Sequence, residues 1–417
     1  MFLKYGDKAI QLSLPEGIPA ETLELPELET LRDPLKSIGE ALDSPIDLPP
    51  LKSFVSPEDK VCLIVNDSTR VANSEIFLPV LTDKLEEAGV KSENIFIVFA
   101  NGNHRDMDRE EMVSLVGEKI ADKYAMYNHN CKEDEMVFLG NTKRNTPVYI
   151  NKRVYDADKR ILTGSVVYHF FAGFGGGRKA LVPGVSGHET IQANHRLMLE
   201  EGASLGKLEQ NPVHEDQVEA ASMIDNNFLL NVVLNEKKEF LAVYAGEMIK
   251  THLKACEFVE KAYGVKIGEP ADLVIASCGG HPKDINIYQA QKTLDNAVQG
   301  LKDGGILILI AKCLEGMGSE IFEEWITKYE TVTEVEKALQ ENFVLGGHKA
   351  YAIYRAAEKA RVLLVSSLDP AQTKKLGFES PPSLENALET ALESLPSKPL
   401  IYIMPEGSLT VPVLEES

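Results

Sequence analysis

The sequence predicts an α/β protein of two domains, each a mostly parallel sheet flanked by helices. Apolar strand-like runs alternate with helical patterns, which is typical of parallel sheets whose faces are covered by helices. The length of 417 residues is typical of about two domains. The alternation restarts near Glu269-Pro270, so we expect one domain over residues 1–265 and a second over residues 266–417.

The first domain is predicted to begin with a hairpin over residues 2–14 that turns at Gly6-Asp7. Residues 15–53 are rich in Pro, Glu and Leu, which indicates a linker and a short helix. Three buried strands follow, each leading into a polar loop and then a helix. The predicted strands cover 60–65, 94–100 and 160–167, and the predicted helices cover 74–88, 109–117 and 187–201.

The second domain repeats this order after a helix predicted over residues 247–263. Its helix carries the sequence NIYQAQKTLDNAVQG and is expected to end at Gly300, since glycine is common just beyond a helix. A buried strand and its loop are predicted over 271–280, and further strands are predicted over 304–313, 361–367 and 398–405.

Composition narrows the possible partners. The net charge of −21 disfavours binding to nucleic acid or to anionic membranes, so an anionic small molecule would need a local cationic pocket.

The five cysteines have no zinc-site spacing, which favours free thiols in a reducing compartment. The N-terminus lacks the pattern of a signal peptide, and the apolar run at 305–311 is far short of the ~20 residues of a membrane span. We expect a soluble, cytoplasmic protein.

Four unusual polar loops follow predicted strands: NDSTR, NGNHRD, YHFFAGFGGGRK and SCGGHPKD. In open α/β sheets, ligands bind at the carboxyl ends of the strands. The sequence therefore predicts an active site at the carboxyl ends of the strands, between the two domains.

The glycine-rich loop over residues 168–184 holds two adjacent cations, Arg178 and Lys179. It is not a Walker A motif, since Ala180 follows the lysine, and it is not a dinucleotide fingerprint. Its glycines would let the backbone come close to a ligand, and the neighbouring Arg178 would disfavour the ammonium form of Lys179, which favours a nucleophilic amine. The alternative is a flexible turn with two solvated cations.

The other strand ends offer polar groups of a different kind. Asp67, Ser68, Thr69 and Arg70 could cradle a phosphate or carboxylate, although Asp67 or Ser68 could instead cap the next helix. His104 and His169 are candidate general acid/base residues. The alternatives are a solvated side chain for His104 and a satisfied core histidine for His169.

Two helices carry further candidates. Ser186 and Glu189 predict a capping box for a helix that ends at Gly202, and one of its two histidines, His188 or His195, could bind a metal ion whose other ligands come from elsewhere. On the later helix, Gln289 and Lys292 share an exposed face near the N-terminus, where the dipole favours anions. The alternative for that pair is an ordinary helix surface, and the remaining histidines have no predicted role.

In combination, the motifs NDSTR, NGNHR, YHFFAGFGGGRKALVPG, ETIQANH and GGHPKDINIYQAQK resemble the nickel-pincer-dependent lactate racemase family, in order over about residues 60–300. The resemblance implies a nickel ion and pyridinium-3,5-bisthiocarboxylic acid mononucleotide, with its attachment at Lys179. It also implies transient contact with cofactor-synthesis proteins. The implied roles are metal ligation by His195, acid/base catalysis by His104 and His169, cofactor binding by Asp67, Ser68, Thr69 and Arg70, and substrate binding by Arg70, Gln289 and Lys292.

The resemblance implies interconversion of D- and L-lactate. Hydride transfer from C2 to the cofactor, with a histidine taking the hydroxyl proton, would give a planar 2-keto acid, and a second histidine would serve the opposite enantiomer.

One alternative is that the substrate is another 2-hydroxy acid, such as malate, an aromatic 2-hydroxy acid or a sugar acid. A nicotinamide-dependent dehydrogenase would need a Gly-x-Gly-x-x-Gly turn after a strand, and we find none. A non-catalytic anion-binding protein is the most distant alternative.

Overall fold

The structure is a computed structural model that describes residues 1–415. It contains two compact units. The first unit is Leu28–Glu260, and the second unit combines Met1–Glu27 with the chain from Lys261 onward. The predicted α/β class and the mostly parallel sheets are confirmed.

The two compact units differ from the predicted division in where the first 27 residues pack. Glu21 and Thr22 pair in parallel with the edge of the second unit's sheet, and the side chains of Leu3 and Leu12 lie in that unit's apolar core. A hairpin with one apolar face can cover any sheet, so the sequence pattern shows the hairpin but not the sheet that it covers.

The strands are short and largely follow the predicted runs. In chain order they are β1 (Phe2–Tyr5), β2 (Lys8–Gln11), β3 (Glu21–Thr22), β4 (Val61–Asn66), β5 (Ile95–Ala100), β6 (Ala125–Asn128), β7 (Met136–Asn141), β8 (Pro147–Asn151), β9 (Lys159–Ser165), β10 (Tyr168–His169), β11 (Gly173–Phe174), β12 (Asn227–Leu234), β13 (Phe240–Gly246), β14 (Gly264–Ile267), β15 (Ala271–Ser277), β16 (Leu301–Ile310), β17 (Ala360–Val365), β18 (Ile401–Met404) and β19 (Val411–Leu414).

The helices mostly begin at residues whose side chains can cap them. In chain order they are α1 (Pro34–Asp43), α2 (Leu51–Phe54), α3 (Ser74–Glu87), α4 (Arg109–Val116), α5 (Glu118–Lys123), α6 (Lys152–Tyr155), α7 (His188–Arg196), α8 (Pro212–Ala221), α9 (Met248–Tyr263), α10 (Ile287–Ala297), α11 (Glu320–Lys328), α12 (Val332–Glu341), α13 (Gly347–Lys359), α14 (Pro370–Lys375) and α15 (Leu384–Ser394).

The first unit is built on a six-stranded sheet in the order β13-β12-β9-β4-β5-β6. All neighbours are parallel except β12 and β13. Alternate residues of β4 enter different cores: Leu63 and Val65 face one cluster, whereas Cys62 and Ile64 face the other. A strand buried on both faces must be apolar throughout, which is why β4 shows no polar alternation in the sequence.

The second unit has a parallel five-stranded sheet in the order β17-β16-β15-β18-β3. The predicted hairpin is confirmed, because β1 and β2 pair antiparallel around Gly6-Asp7. The turn is held by the buried Asp284, whose carboxylate accepts a 2.6 Å hydrogen bond from the backbone N–H of Gly6. In the described part of the chain, no helix has both the length and the apolar character needed to cross a lipid bilayer.

Candidate active site

The candidate site lies at the carboxyl edge of the first unit's sheet. The strands β4, β5 and β9 are neighbours and end at Asn66, Ala100 and Ser165. Because parallel strands point the same way, the loops that follow them leave the sheet at one edge. The fold therefore brings together side chains that are far apart in the sequence.

Asp67 and His104, in the loops after β4 and β5, form a hydrogen-bonded pair. Nδ1 of His104 lies 2.5 Å from Oδ2 of Asp67, and the Thr69 hydroxyl donates a 2.7 Å hydrogen bond to Oδ1 of the same carboxylate. An ionised carboxylate can only accept, so Nδ1 of His104 carries a proton and donates it. A second proton could then be taken up only at Nε2, and a lone pair at that nitrogen is the arrangement of a general base.

The Asp67 carboxyl is buried but stays ionised. Burial acts to raise its pKa, and the hydrogen bond and charge of His104, with smaller contributions from Thr69 and Arg70, bring the pKa below its ordinary value. The interpretation of Asp67 or Ser68 as a helix cap is wrong, because α3 begins after Asn73 at its N-cap position. The structure shows Asp67 orienting His104, a contact across two loops that sequence spacing does not reveal.

His169 is half-buried against the rings of two phenylalanines. It stacks on Phe170 with 5.5 Å between ring centroids and meets Phe171 edge-on at 4.5 Å. Its Nδ1 accepts a 3.3 Å hydrogen bond from the backbone N–H of Ala172, so the proton of the neutral ring is on Nε2. His169 and His104 therefore carry their protons on opposite ring nitrogens.

Positive charges surround His169. Burial, followed by the charges of Lys179 and Arg70, lowers the pKa of His169 well below its ordinary value. The imidazole is therefore neutral at physiological pH, and its imidazolium form would be a strong proton donor.

Lys179 lies in the 3₁₀ turn Gly177–Ala180 that ends the glycine-rich loop. Its Nζ is 5.6 Å from the centroid of the Phe171 ring. Among residues 1–415, no carboxylate forms an ion pair with this amine. Burial, then the charges of Arg178 and Arg70, lower the pKa of Lys179 well below its ordinary value, which favours the nucleophilic neutral amine as the sequence predicted.

Arg178 is buried, so the alternative of two solvated cations is wrong for this residue. Its exposed fraction is 1%. The guanidinium donates hydrogen bonds of 2.9 and 2.8 Å to the carbonyls of Phe174 and Ala172, and one of its nitrogens lies 3.1 Å from Nε2 of His252. Burial lowers the pKa of Arg178 to about 10, so it stays charged and holds the loop that carries Lys179.

We expect Arg178→Met to lower the free energy of unfolding by roughly 3 kcal/mol or more, because several buried acceptors lose their donor at about 1–3 kcal/mol each. Urea denaturation would measure the change. The matched control is Arg105→Met, since Arg105 pairs with Glu111 at the surface and should leave the midpoint nearly unchanged. Equal midpoints for both variants would show that Arg178 does not hold the loop.

The glycines of this loop are needed for contacts within the chain. Gly176 and Gly177 both have positive φ, 74° and 56°. A Cβ atom on Gly177 would lie 2.5 Å from Cγ of His252, and one on Gly176 would lie 2.7 Å from a methyl carbon of Val166. These two glycines are therefore required by packing within the chain, and their close approach to a ligand stays a prediction.

His252 and Cys256, to which the sequence assigned no role, support the loop from behind. Nε2 of His252 also lies 2.8 Å from the carbonyl oxygen of Gly175, and the Cys256 thiol lies 3.4 Å from the same nitrogen. The His214 ring stacks on His252 at 6.3 Å, and burial, then the charge of Arg178, lower the pKa of His214 to about 3. Helices α8 and α9, which carry these residues, come together only in the folded chain.

His195 lies in the last turn of α7. Its ring meets Phe171 edge-on with 5.5 Å between centroids. Burial, then the charge of Lys179, lower the pKa of His195 to about 3, so the ring is neutral as a metal ligand must be. His188, at the start of α7, is half-buried.

The predicted capping box is wrong. The N-cap of α7 is Gly187, and the Ser186 hydroxyl donates a 2.7 Å hydrogen bond to the carbonyl of Leu181. The helix ends at Arg196 and a 3₁₀ turn follows, so it also stops short of Gly202.

Phe171 is a central residue that the sequence did not predict. It is buried, and its ring contacts His169, Lys179 and His195. The same ring thus packs against all three side chains. The only signal in the sequence was the aromatic pair that follows His169 in the motif.

The remaining candidates of the first loop are exposed. The backbone N–H of Ser68 lies 3.3 Å from the Met107 sulfur. The Arg70 guanidinium donates to the carbonyl of its neighbour Thr69 at 3.1 Å, and its charge contributes to the lowered pKa values of His169 and Lys179. An anion near these groups would meet several positive charges, and Arg70 is free to turn toward it.

Gln289 and Lys292 lie in the second unit, in the first half of α10. Both side chains are exposed. The helix is capped by Asn286, whose side chain accepts a 2.9 Å hydrogen bond from the backbone N–H of Gln289. Their contact with substrate stays a prediction.

Within residues 1–415, no group of three or more His, Cys, Asp or Glu side chains is arranged to hold a metal ion.

Comparisons with known proteins cover nearly the whole chain. Residues 5–206 match the sequence profile of the lactate racemase N-terminal domain, and residues 267–413 match that of the lactate racemase C-terminal domain. The chain is 32% identical over 378 residues to the lactate racemase of Thermoanaerobacterium thermosaccharolyticum, which covers 89% of this chain and 88% of that protein. It is 31% identical over 380 residues to the lactate racemase of Lactiplantibacillus plantarum, with 89% of each chain covered.

Solved structures agree with these matches. The structure of the lactate racemase apoprotein from T. thermosaccharolyticum has a TM-score of 0.89 and 30% identity, and the match covers 100% of this chain and 99% of that one. A protein from Thermotoga maritima has a TM-score of 0.63 at 19% identity, covering 91% of this chain and 97% of that one. The second match supports the fold alone.

Proposed function

Because the chain belongs to the lactate racemase family, we propose that it interconverts D- and L-lactate by the chemistry of the residues at this sheet edge. The observation that carries the proposal is the pair His104 and His169, whose ring protons are on opposite nitrogens. Racemisation needs a proton carrier for each enantiomer, and the site has two.

The residues fit the nickel-pincer nucleotide that the resemblance implies. The amine of Lys179 has no carboxylate partner among residues 1–415 and can form an amide-type bond to the nucleotide. The neutral imidazole of His195 can ligate nickel, while the nucleotide would bring the sulfur donors that nickel favours. Asp67, Ser68 and Thr69 would lie against its phosphate and ribose. When bound, the nucleotide would supply the acceptor for the hydrogen that leaves C2 with its electron pair.

The substrate carboxylate would bind to cationic side chains. Arg70 is exposed at the site, and its planar guanidinium can form two hydrogen bonds to a carboxylate. Gln289 and Lys292 of the second unit would complete the substrate contacts. The positive charges around His169 and Lys179 would attract an anion into a protein whose net charge is −21.

His104 would take the hydroxyl proton of one enantiomer at Nε2. Asp67 holds the opposite nitrogen, so it keeps the ring in the basic tautomer and stabilises the imidazolium that forms. Loss of the C2 hydrogen then leaves a planar 2-keto acid, held through its carboxylate. Rotation of the carbonyl presents its other face and moves its oxygen away from His104.

His169 would give a proton to the substrate oxygen in the position that this oxygen takes after the carbonyl has rotated. To give a proton to that oxygen, the ring would have to be in its imidazolium form, which would release the Nε2 proton readily because the pKa of His169 is well below its ordinary value. The opposite enantiomer would follow the same path in reverse: a neutral His169 with its proton on Nδ1 would accept the hydroxyl proton at Nε2, and the His104 imidazolium would return a proton to the oxygen. The contact with Phe171 would limit the access of water to this side of the His169 ring.

The direct test is a joint measurement on protein made in cells that synthesise the cofactor. We expect an intact mass with one adduct at Lys179, one nickel per chain, and conversion of either pure lactate enantiomer to the racemate. A panel of malate, aromatic 2-hydroxy acids and sugar acids would reassign the substrate if one of them reacts faster. Full activity in a nickel-free, unmodified chain would refute the proposal.

We expect His195→Ala to lose nickel while the adduct at Lys179 remains, because the imidazole is the proposed protein ligand and Lys179 is the proposed attachment. Metal analysis and intact mass measure the two quantities separately. His188→Ala is the matched control on the same helix and should keep its nickel. If His188→Ala loses the metal and His195→Ala retains it, the ligand assignment is reversed.

We also propose that the protein is cytoplasmic and has no nucleic-acid or membrane partner. All five cysteines are buried and free, which suits a reducing compartment. Transient contact with cofactor-synthesis proteins is proposed with the attachment at Lys179, since the nucleotide must be delivered there.

A further inference from the structure

We propose that the cofactor-free protein binds a 2-keto acid covalently, as a reversible imine on the amine of Lys179. The inference rests on the proposed function only for the choice of 2-keto acids, which are the intermediates of that reaction. Its physical basis is the set of contacts around the Lys179 amine within the first unit.

The first argument is the absence of an acidic partner for Lys179. The surface lysines Lys152 and Lys254 form ion pairs with carboxylates at 2.7 and 2.9 Å. Among residues 1–415, no carboxylate pairs with Lys179, and its amine lies instead over the Phe171 ring. A lysine next to Arg178 and an aromatic ring is in the setting that makes an amine a nucleophile toward carbonyl carbon.

The second argument is that side chains of the same site can assist the reaction of this amine with a ketone. His169 contacts the same Phe171 ring and carries its proton on Nε2, where it can donate a hydrogen bond to a ketone oxygen. His104 has its lone pair on Nε2 and can take up the proton that the attacking amine releases. Arg70 offers two donors to the carboxylate beside the ketone.

The reaction balances without any oxidant or reductant. The lone pair of Nζ attacks C2 of the keto acid, and the carbonyl oxygen gains a proton to give a carbinolamine. The carbinolamine then loses its hydroxyl group as water, and the C2–N double bond of the imine forms. Hydrolysis by one water molecule restores Lys179 and the keto acid, so the keto acid would compete reversibly with cofactor attachment.

The test uses the full chain made in cells that lack the cofactor-synthesis proteins. A relative of this family has been solved as its apoprotein with a TM-score of 0.89, so the cofactor-free chain should fold. Pyruvate with cyanoborohydride at pH 7 would trap the imine as a stable carboxyethyl group, and peptide mass spectrometry would locate it. We expect Lys179 to be labelled about 100-fold faster than Lys254, because an ordinary lysine is almost wholly protonated at this pH. Equal rates would overturn the inference.

Acetone, a ketone without a carboxylate, tests the chemical class. We expect Arg70→Gln to slow labelling of Lys179 by pyruvate about tenfold more than labelling by acetone, since only pyruvate loses a charge-assisted contact, whereas the loss of the Arg70 charge beside the amine slows both. If both ketones label Lys179 equally well in the parent protein, the assignment to 2-keto acids is overturned. Lys179→Met should remove the labelled peptide while Lys254 remains labelled slowly.

The two proposals fail separately. If the cofactor-loaded protein racemises lactate but Lys179 of the cofactor-free chain is not labelled preferentially, the imine inference is wrong and the proposed function stands. If Lys179 is labelled but the loaded protein has no racemase activity, the proposed function is wrong and the imine inference stands.

Discussion

Lys179→Met is expected to abolish racemisation, with activity falling to the uncatalysed background, on the order of 10⁶-fold or more. Methionine matches the length of the side chain but has no amine, so the nucleotide cannot be attached. Since the acceptor chemistry belongs to the cofactor, no residue of the chain can replace it. Turnover of pure lactate enantiomers, intact mass and nickel content would be measured on the same preparation.

The control for this variant is Lys254→Met, which removes an exposed lysine paired with Glu257 on the surface of α9. It should keep the adduct, the nickel and the activity. The melting temperature of Lys179→Met should not fall, because the charges of Arg178 and Arg70 disfavour the ammonium form and its loss removes no ion pair among residues 1–415. Retained activity in Lys179→Met would separate catalysis from the proposed attachment site.

His104→Gln is expected to lower kcat by about 10²–10⁴-fold, the range typical for loss of a general acid/base. The adduct at Lys179 and the nickel should remain, because His104 is not proposed to hold either. The equilibrium constant between two enantiomers is unity, so kcat/KM must fall equally for D- and L-lactate, even though kcat and KM change by different factors. A mass spectrum without the adduct would move His104 from catalysis to cofactor binding.

Asp67→Asn would test whether the carboxylate acts through His104. An amide is neutral, so it can neither stabilise the imidazolium nor require the proton on Nδ1, and we expect a lower kcat with KM nearly unchanged. Asp106→Asn is the control in the same loop as His104, because its carboxylate is exposed and has no proposed role. If Asp67→Asn raises KM alone, the carboxylate binds substrate or cofactor rather than orienting His104.

The predicted strands were confirmed where their residues are buried on both faces of a sheet. The run at 60–65 corresponds to β4, Val61–Asn66, and the run at 94–100 corresponds to β5, Ile95–Ala100. Such strands are apolar because of their position in the sheet, so the sequence carries the signal locally. The capping box at Ser186 and Glu189 was wrong because a short polar pattern matches several local structures, and the chain uses Ser186 to bond Leu181.

Other roles depend on contacts between residues that are remote in sequence. Arg178 was predicted beside Lys179 as a support or a solvated cation, and its partner His252 lies 74 residues later. Phe171 contacts Lys179 and two histidines, which no spacing rule connects. These contacts form only when α7, α8 and α9 pack beside the glycine-rich loop.

The sequence by itself determined the alternation of strands and helices, the positions of the polar loops and the residue types available for chemistry, since each of these is a local property of the chain. The tertiary structure decided which nitrogen of each imidazole carries the proton, why Lys179 favours the neutral amine, and why Gly177 cannot have a side chain. The physical reason is that tautomers, desolvation and steric limits depend on neighbours brought together by folding.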